Sequence, residues 1–294
     1  MGPGRRRDPQ RHRRRRLAGP GRQGLQDRAA LRPGAADIGW ARAPLGDLHD
    51  THAAAALGKT GVRVALRTRA AAVTRDDAGW QVAVENSPHG RETLTADTVV
   101  LAVPQREAHA LLPDGALPAK ERLLEIGTAP ILNVHVIYDR KVVRRPFFAA
   151  IGSPVQWVFD RTEASGLART AGHERSQYLA LSQSAAQAEI DQPVAALAPA
   201  TSRVGAAAAG RPGRRILDFF VTREAHRDLR ARTGRRPAPP AARTQVPGLY
   251  LAGAWTATGW PATMESAVRS GTAAAREALT ELGVPQGQLP QEAA

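Results

Sequence analysis

A chain of 294 residues with 43% hydrophobic content is long enough to fill one large core or two ordinary ones. The lack of cysteine excludes disulfides, thiolate metal sites, a cysteine nucleophile and a cysteinyl link to a prosthetic group. A formal charge of +14 would suit a nucleic-acid binder, but of the 41 basic residues only Lys59, Lys120 and Lys141 are lysines and aromatics make up 4%, so nucleic acid is not the expected partner.

Residues 1–44 are Arg, Gly, Pro and Ala without apolar periodicity, and read as a disordered basic tail. The run Arg13-Arg14-Arg15-Arg16 is not followed by the apolar stretch that a twin-arginine signal needs. Gly19-Pro20-Gly21-Arg22-Gln23-Gly24 satisfies G-x-G-x-x-G as a string. Phosphate binding by such a string needs a strand before it and a helix after it. Here four arginines precede it and Pro20 sits inside the turn, so it is read as tail.

Order is expected from Leu45. Gly61 to Leu66 alternates like a strand, Ala70 to Arg75 forms another, and Asp76-Asp77-Ala78-Gly79 turns the chain. Trp80 to Glu85 alternates back, and a turn over Asn86–Gly90 leads through Glu92 to Ala96. Thr98 to Val103 is continuously apolar and closed by Pro104, the pattern of a strand covered on both faces. Residues 105–125 read as helical with breaks at Pro113 and Pro118. Ile131–Tyr138, Phe147–Ile151, Val155–Phe159 and Tyr178–Ser182 are strands with no helices between them, which predicts a mostly antiparallel sheet. His135, alone among apolar neighbours, is expected to hydrogen-bond within that sheet, and no spacing of His and carboxylates suggests a metal site. Residues 195–213 and 230–243 lapse into Ala, Gly, Pro and Arg, with a strand at Ile216–Glu224 between them. These lapses have the composition of stretches translated out of register in a GC-rich gene.

The most informative stretch is Pro247–Leu282. A Pro-Gly turn precedes a buried strand, Leu249-Tyr250-Leu251-Ala252, which Gly253 ends. A helix is expected from Pro261 to Leu282, burying Met264, Ala267, Val268, Gly271 and Ala275, with Glu265 and Arg269 paired on the other side. On that packing, Gly271→Leu would overfill the interface. Strand, glycine and helix N-terminus together present free N–H groups to an electron-rich ligand.

The sequence LAGAWTATGWPATMESAVRSG resembles the flavin-contacting motif of FAD-dependent amine oxidases and phytoene desaturase-like enzymes, and within them the squalene-associated branch of hydroxysqualene dehydroxylases. The resemblance implies an α/β fold: a partial two-dinucleotide-binding-type FAD domain with a mostly antiparallel substrate sheet. It would place the FAD-binding domain in 45–128 and 245–284, the substrate domain in 129–244, and tails at 1–44 and 285–294. It further implies that Thr263 and Met264 meet the pyrimidine edge of the flavin, with Gly253 and Ala254 beside the ribityl chain and backbone near Ala70 at the adenine. Many relatives have an acid where this chain has Ala254. Phe147, Phe148, Trp157 and Phe159 would line the substrate pocket, with Trp255 and Trp260 before the flavin.

The activity implied is FAD-dependent redox chemistry on a polyisoprenoid lipid, specifically removal of the hydroxyl of hydroxysqualene to give squalene in hopanoid biosynthesis. Such an enzyme would be cytoplasmic, peripheral to the membrane that holds its substrate, since no apolar run approaches the roughly 18 residues of a span. The acid that would protonate the departing hydroxyl is not evident. Without a working glycine-rich unit, the chain alone is expected to bind FAD poorly. Other readings stay open: an amine oxidase, a carotenoid-type desaturase, an inactive fragment, or an Arg-rich nucleic-acid or membrane-surface binder.

Overall fold

The computed structural model of the chain describes residues 39–87, 90–151, 153, 155–197, 215–229 and 238–284. The tail at 1–38, its glycine string, and the irregular stretch 198–214 lie outside the described residues. Contacts divide the chain into two units. The first comprises Ala65–Gly127 and the described part of Ala231–Ala294, and the second Gly39–Val64 and Thr128–Arg230. Residues 45–64, grouped with the FAD domain from sequence, therefore fall in the second unit.

In the first unit, β1 (Arg69–Asp76), β2 (Gly79–Ser87) and β3 (Gly90–Ala96) form an antiparallel meander. The β1–β2 turn is fixed by Asp76, whose Oδ1 accepts from Ala78 N at 2.9 Å. Alternation buries Val73, Trp80 and Val84 and leaves the polar neighbours outside. Among the described residues a second sheet has two strands, β4 (Val99–Leu101) and β10 (Leu249–Leu251), paired in parallel. All of β10 is buried, as its composition predicts. For β4 the expectation of cover on both faces is corrected: Leu101 is buried but Val100 is 41% exposed. The described residues cover that outer face only in part. After Pro104 comes a helix, α2 (Gln105–Leu111), then a short one, α3 (Arg122–Glu125), with Pro113 and Pro118 in the gap.

The second unit begins with α1 (Leu45–Lys59), a helix that buries none of its residues. Its Ala53–Ala56 run supplies helix propensity without an apolar stripe, so periodicity alone does not reveal it. The strand expected at Gly61–Leu66 is absent, because an alternating segment with no partner makes no ladder. Val62, Val64 and Leu66 are all exposed there.

The rest of the unit is a five-stranded antiparallel sheet of β5 (Thr128–Tyr138), β6 (Phe147–Ala149), β7 (Trp157–Asp160), β8 (Gln177–Ser184) and β9 (Ile216–Leu229), in the order β6-β7-β8-β5-β9, with a single helical turn, α4 (Thr162–Ser165), after β7. One face is the core: Val134, Val136, Tyr138, Val158, Leu179 and Leu181 pack with Val142, Val143 and Val155. Buried Gln177 locks the strand ends. Its Oε1 accepts from Val142 N (2.6 Å) and Val143 N (2.8 Å), while Nε2 donates to Val143 O (2.9 Å) and Asp160 Oδ2 (2.6 Å).

Candidate functional site

The strand–loop–helix of the first unit is organised by small residues. The helix α5 (Met264–Glu281) is capped by Thr263, whose Oγ1 accepts from Ser266 N at 3.5 Å. Its buried stripe is Ser266, Ser270, Ala274 and Ala278. This corrects the expected packing face. Met264 is 59% and Val268 65% exposed, and a Cβ at Gly271 would meet nothing within 4 Å. The stripe is rotated by about a quarter turn from the apolar one, one residue's worth of helix.

Hydrogen bonds supply the reason. Gly253 N donates to Ser270 Oγ at 2.7 Å, Ser270 Oγ donates to Ala267 O at 2.7 Å, and Ser266 Oγ is 2.7 Å from Thr258 Oγ1. The loop after β10 therefore lies directly on the helix, which only Ser- or Ala-sized side chains allow. Tyr250 packs with Ala274 and Ala278 and donates its hydroxyl to Glu281 Oε2. Burial, and the carboxylate beside it, push the Tyr250 phenol up to about 12.

Both backbone polar groups of Gly253 are used internally, since its carbonyl accepts from Thr256 N (3.0 Å) and Thr256 Oγ1 (2.9 Å). Ala254 O accepts from Ser266 Oγ at 3.4 Å. Trp255 is buried, with Nε1 donating to Val103 O at 3.0 Å, so its indole ties the loop to the chain following β4 instead of lining a pocket. Trp260 is half-buried beneath Arg269, whose guanidinium lies 4.7 Å from the ring centroid. Thr263 and Met264 are exposed, and the N–H groups of Met264 and Glu265 have no partner among the described residues. Ala70 stands at a bulge in β1, one of the two edge strands of the meander.

In the second unit, register places Phe147, Phe159, Ala180, His135 and Phe220 in one row across all five strands. The adjacent row runs Trp157, Ser182, Asn133 and Thr222. Small residues of β8 thus form the floor of a trough, between Trp157 and Phe159 on one side and Asn133 and His135 on the other. Phe159 stacks on Phe147 and on Trp157 with centroids 6.2 and 6.1 Å away, while Phe147 and Trp157 are tilted by 43° at 6.3 Å. Phe148 faces the opposite way and packs against the core, a difference that strand alternation requires once Phe147 points outward.

A polar trio closes the trough. Tyr178 Oη lies 2.7 Å from His135 Nδ1, and His135 Nε2 lies 3.0 Å from Thr222 Oγ1. The His135 ring stacks on Phe220 at 4.5 Å and 9°. Burial lowers the His135 pKa, favouring neutral imidazole, and raises that of the Tyr178 phenol. Tyr178, Phe220 and Thr222 were not among the residues picked from sequence. Their only advance signal was the alternation of Tyr178, Ala180 and Ser182 with Leu179 and Leu181.

The family description "Flavin containing amine oxidoreductase" matches residues 21–279. The chain belongs to that family. Over 185 residues it is 31% identical to hydroxysqualene dehydroxylase of Sinorhizobium fredii, covering 63% of this chain and 39% of that protein. Over 179 residues it is 31% identical to the enzyme of the same name from Rhodopseudomonas palustris, covering 61% and 38%. The chain thus spans well under half the length of these curated relatives. The solved structure of cyclohexylamine oxidase from Brevibacterium oxydans superposes with a TM-score of 0.51 at 17% identity, over 73% of this chain and 48% of the other, a likeness of fold alone.

The cofactor of this family is FAD, and the residues present fit its flavin end. At the N-terminus of an 18-residue helix, two backbone donors with no partner among the described residues suit the ring edge where negative charge gathers on reduction. Thr263 and Met264 would meet that edge. Among the described residues, none forms a glycine-rich strand-to-helix turn that would hold the pyrophosphate. Likewise, among them no helix is long and apolar enough to cross a membrane, and no His, Asp and Glu group is placed to hold a metal.

Proposed function

We propose that the chain serves FAD-dependent redox chemistry on a polyisoprenoid, namely removal of the hydroxyl of hydroxysqualene to give squalene. The observation that carries this reading is the aromatic trough floored by Ala180 and Ser182. A strip of small side chains walled by aromatic rings suits a hydrocarbon chain, which makes many weak contacts and needs few directional ones. The names of the relatives point the same way. Reduced FAD, when bound, supplies a hydride. The chain's own residues would take up the hydrocarbon along β7 and β8, exclude water, and present helix N–H groups to the flavin edge. An amine oxidase would frame its amine with aromatic rings before the flavin, and the inward-turned Trp255 is poorly placed for that.

The test compares hydroxysqualene with putrescine as ligands of the purified chain, following Trp157 emission, with a Trp157→Phe control. Uptake of the triterpenoid and none of the diamine is expected. Squalene formation that requires both FAD and a reductant would extend binding to reaction. Uptake of the diamine alone would replace this reading with amine oxidation. A separate FAD titration is expected to give weak binding, and submicromolar affinity would mean that other residues hold the pyrophosphate.

A further inference from the structure

The trough carries a polar device that an unfunctionalised hydrocarbon would not need. Its three members satisfy one another across β8, β5 and β9: the Tyr178 hydroxyl at 2.7 Å from His135 Nδ1, and His135 Nε2 at 3.0 Å from Thr222 Oγ1. Polar groups on an aromatic face are costly unless paired, so a three-member chain there is a specific arrangement. We propose that the Tyr178 phenol, held by His135 and Thr222 at the end of the Ala180–Ser182 trough, is a hydroxyl-binding subsite for a long-chain apolar alcohol. This rests on the polyisoprenoid reading and deepens it.

The argument is one of proton direction. A neutral imidazole has one N–H, so the chain of hydrogen bonds runs one of two ways. With the proton on Nε2, His135 donates to Thr222 and accepts from Tyr178, and the phenol oxygen is left to accept from a ligand O–H. With the proton on Nδ1, His135 accepts from Thr222 and donates to Tyr178, and the phenol proton is free to donate to a ligand oxygen. The same three side chains can therefore answer either half of a hydroxyl, which is both donor and acceptor. Stacking on Phe220 at 4.5 Å holds the ring in the plane both arrangements need. The trio contains no carboxylate, so an ammonium group would find only a neutral acceptor. Tyr178 touches the ligand; His135 and Thr222 are positioning residues.

Calorimetric titration of the full chain with farnesol, farnesylamine and farnesene tests this directly. Farnesol is expected to bind about 3- to 10-fold more tightly than farnesene, the worth of one net hydrogen bond. Tyr178→Phe should abolish that preference while leaving farnesene affinity unchanged. Thr222→Val, a smaller change at a strand position that tolerates it, should reduce the preference. Circular dichroism on each variant checks that the sheet persists. Equal affinity for alcohol and hydrocarbon, a preference that survives Tyr178→Phe, or tighter binding of the amine would overturn the subsite. Binding of both isoprenoids without discrimination would do so and leave the polyisoprenoid reading standing, whereas no binding of either would remove both.

Discussion

Gly253→Ala should be the most damaging single methyl group in the first unit. Gly253 has φ 148°, a region that L side chains rarely adopt. An ideal Cβ there would lie 2.4 Å from Trp255 Nε1, 2.8 Å from Cδ1 and 3.1 Å from Cε2. The indole cannot swing away cheaply, because it is 6% exposed and Nε1 donates to Val103 O at 3.0 Å. Backbone strain costs about 1–3 kcal/mol and overpacking about 1–3 kcal/mol. A displaced indole also forfeits about 1 kcal/mol for its hydrogen bond. These overlap, since moving the ring relieves the clash, so about 3–5 kcal/mol is the expected loss. Thermal unfolding followed by tryptophan emission should show a drop of roughly 6–20 °C in the transition of this unit. Gly253→Ala with Trp255→Leu should recover the clash component but not the backbone strain. A single variant within about 1 kcal/mol of the parent chain would refute the geometry assigned to this loop.

Gly271→Ala should stabilise the chain by about 0.5–1 kcal/mol through helix propensity, because a Cβ there meets nothing within 4 Å; a loss in urea melts would restore the buried-face reading. Gln177→Leu should cost about 3–5 kcal/mol by stranding the Val142 and Val143 amides, and an unchanged melting temperature would show that water replaces the side chain. The Tyr250 phenol titrates higher in the folded chain than when unfolded, so its stabilisation is complete below about pH 10 and lost as pH rises toward about 12. Tyr250→Phe should flatten that alkaline arm of the stability profile, and an identical profile would exclude the Tyr250–Glu281 contact as its source. His135 behaves oppositely. Burial lowers its pKa, so its contribution is lost as pH falls below the unfolded value of about 6.5, which His135→Gln should remove.

The strands of both units were legible because period-two alternation records which face of a sheet meets a core. Val134, Val136 and Tyr138 announced one face, and Trp80, Val82 and Val84 announced another. The parallel strand at Leu249–Leu251 was legible from apolar continuity. The packing face of α5 was not, because periodicity measures hydrophobicity and this interface is selected by size. Ser266 and Ser270 look polar, yet their hydroxyls are consumed by the loop they support. The trough was half legible. Phe147, Trp157 and Phe159 could be named as aromatic strand residues, but which neighbours join them depends on register between strands far apart in sequence. Ala180 and Ser182 carry meaning only once Phe159 and His135 are known to flank them.

The serine-and-alanine seam between α5 and β10 also gives the first unit an unusual thermal character. Apolar surface released on unfolding raises heat capacity, and polar surface lowers it. Where Ser266 and Ser270 meet hydrogen-bonded loop backbone, little of the first kind is released; Tyr250 against Ala274 and Ala278 is the apolar part of the seam. The core of the second unit, built of Val and Leu, releases much more. Cooling weakens hydrophobic cohesion but leaves hydrogen bonds and close contact largely intact. The Ser266–Ser270 end of the seam should therefore hold nearly constant strength across temperatures over which the valine-rich sheet passes through a maximum and declines.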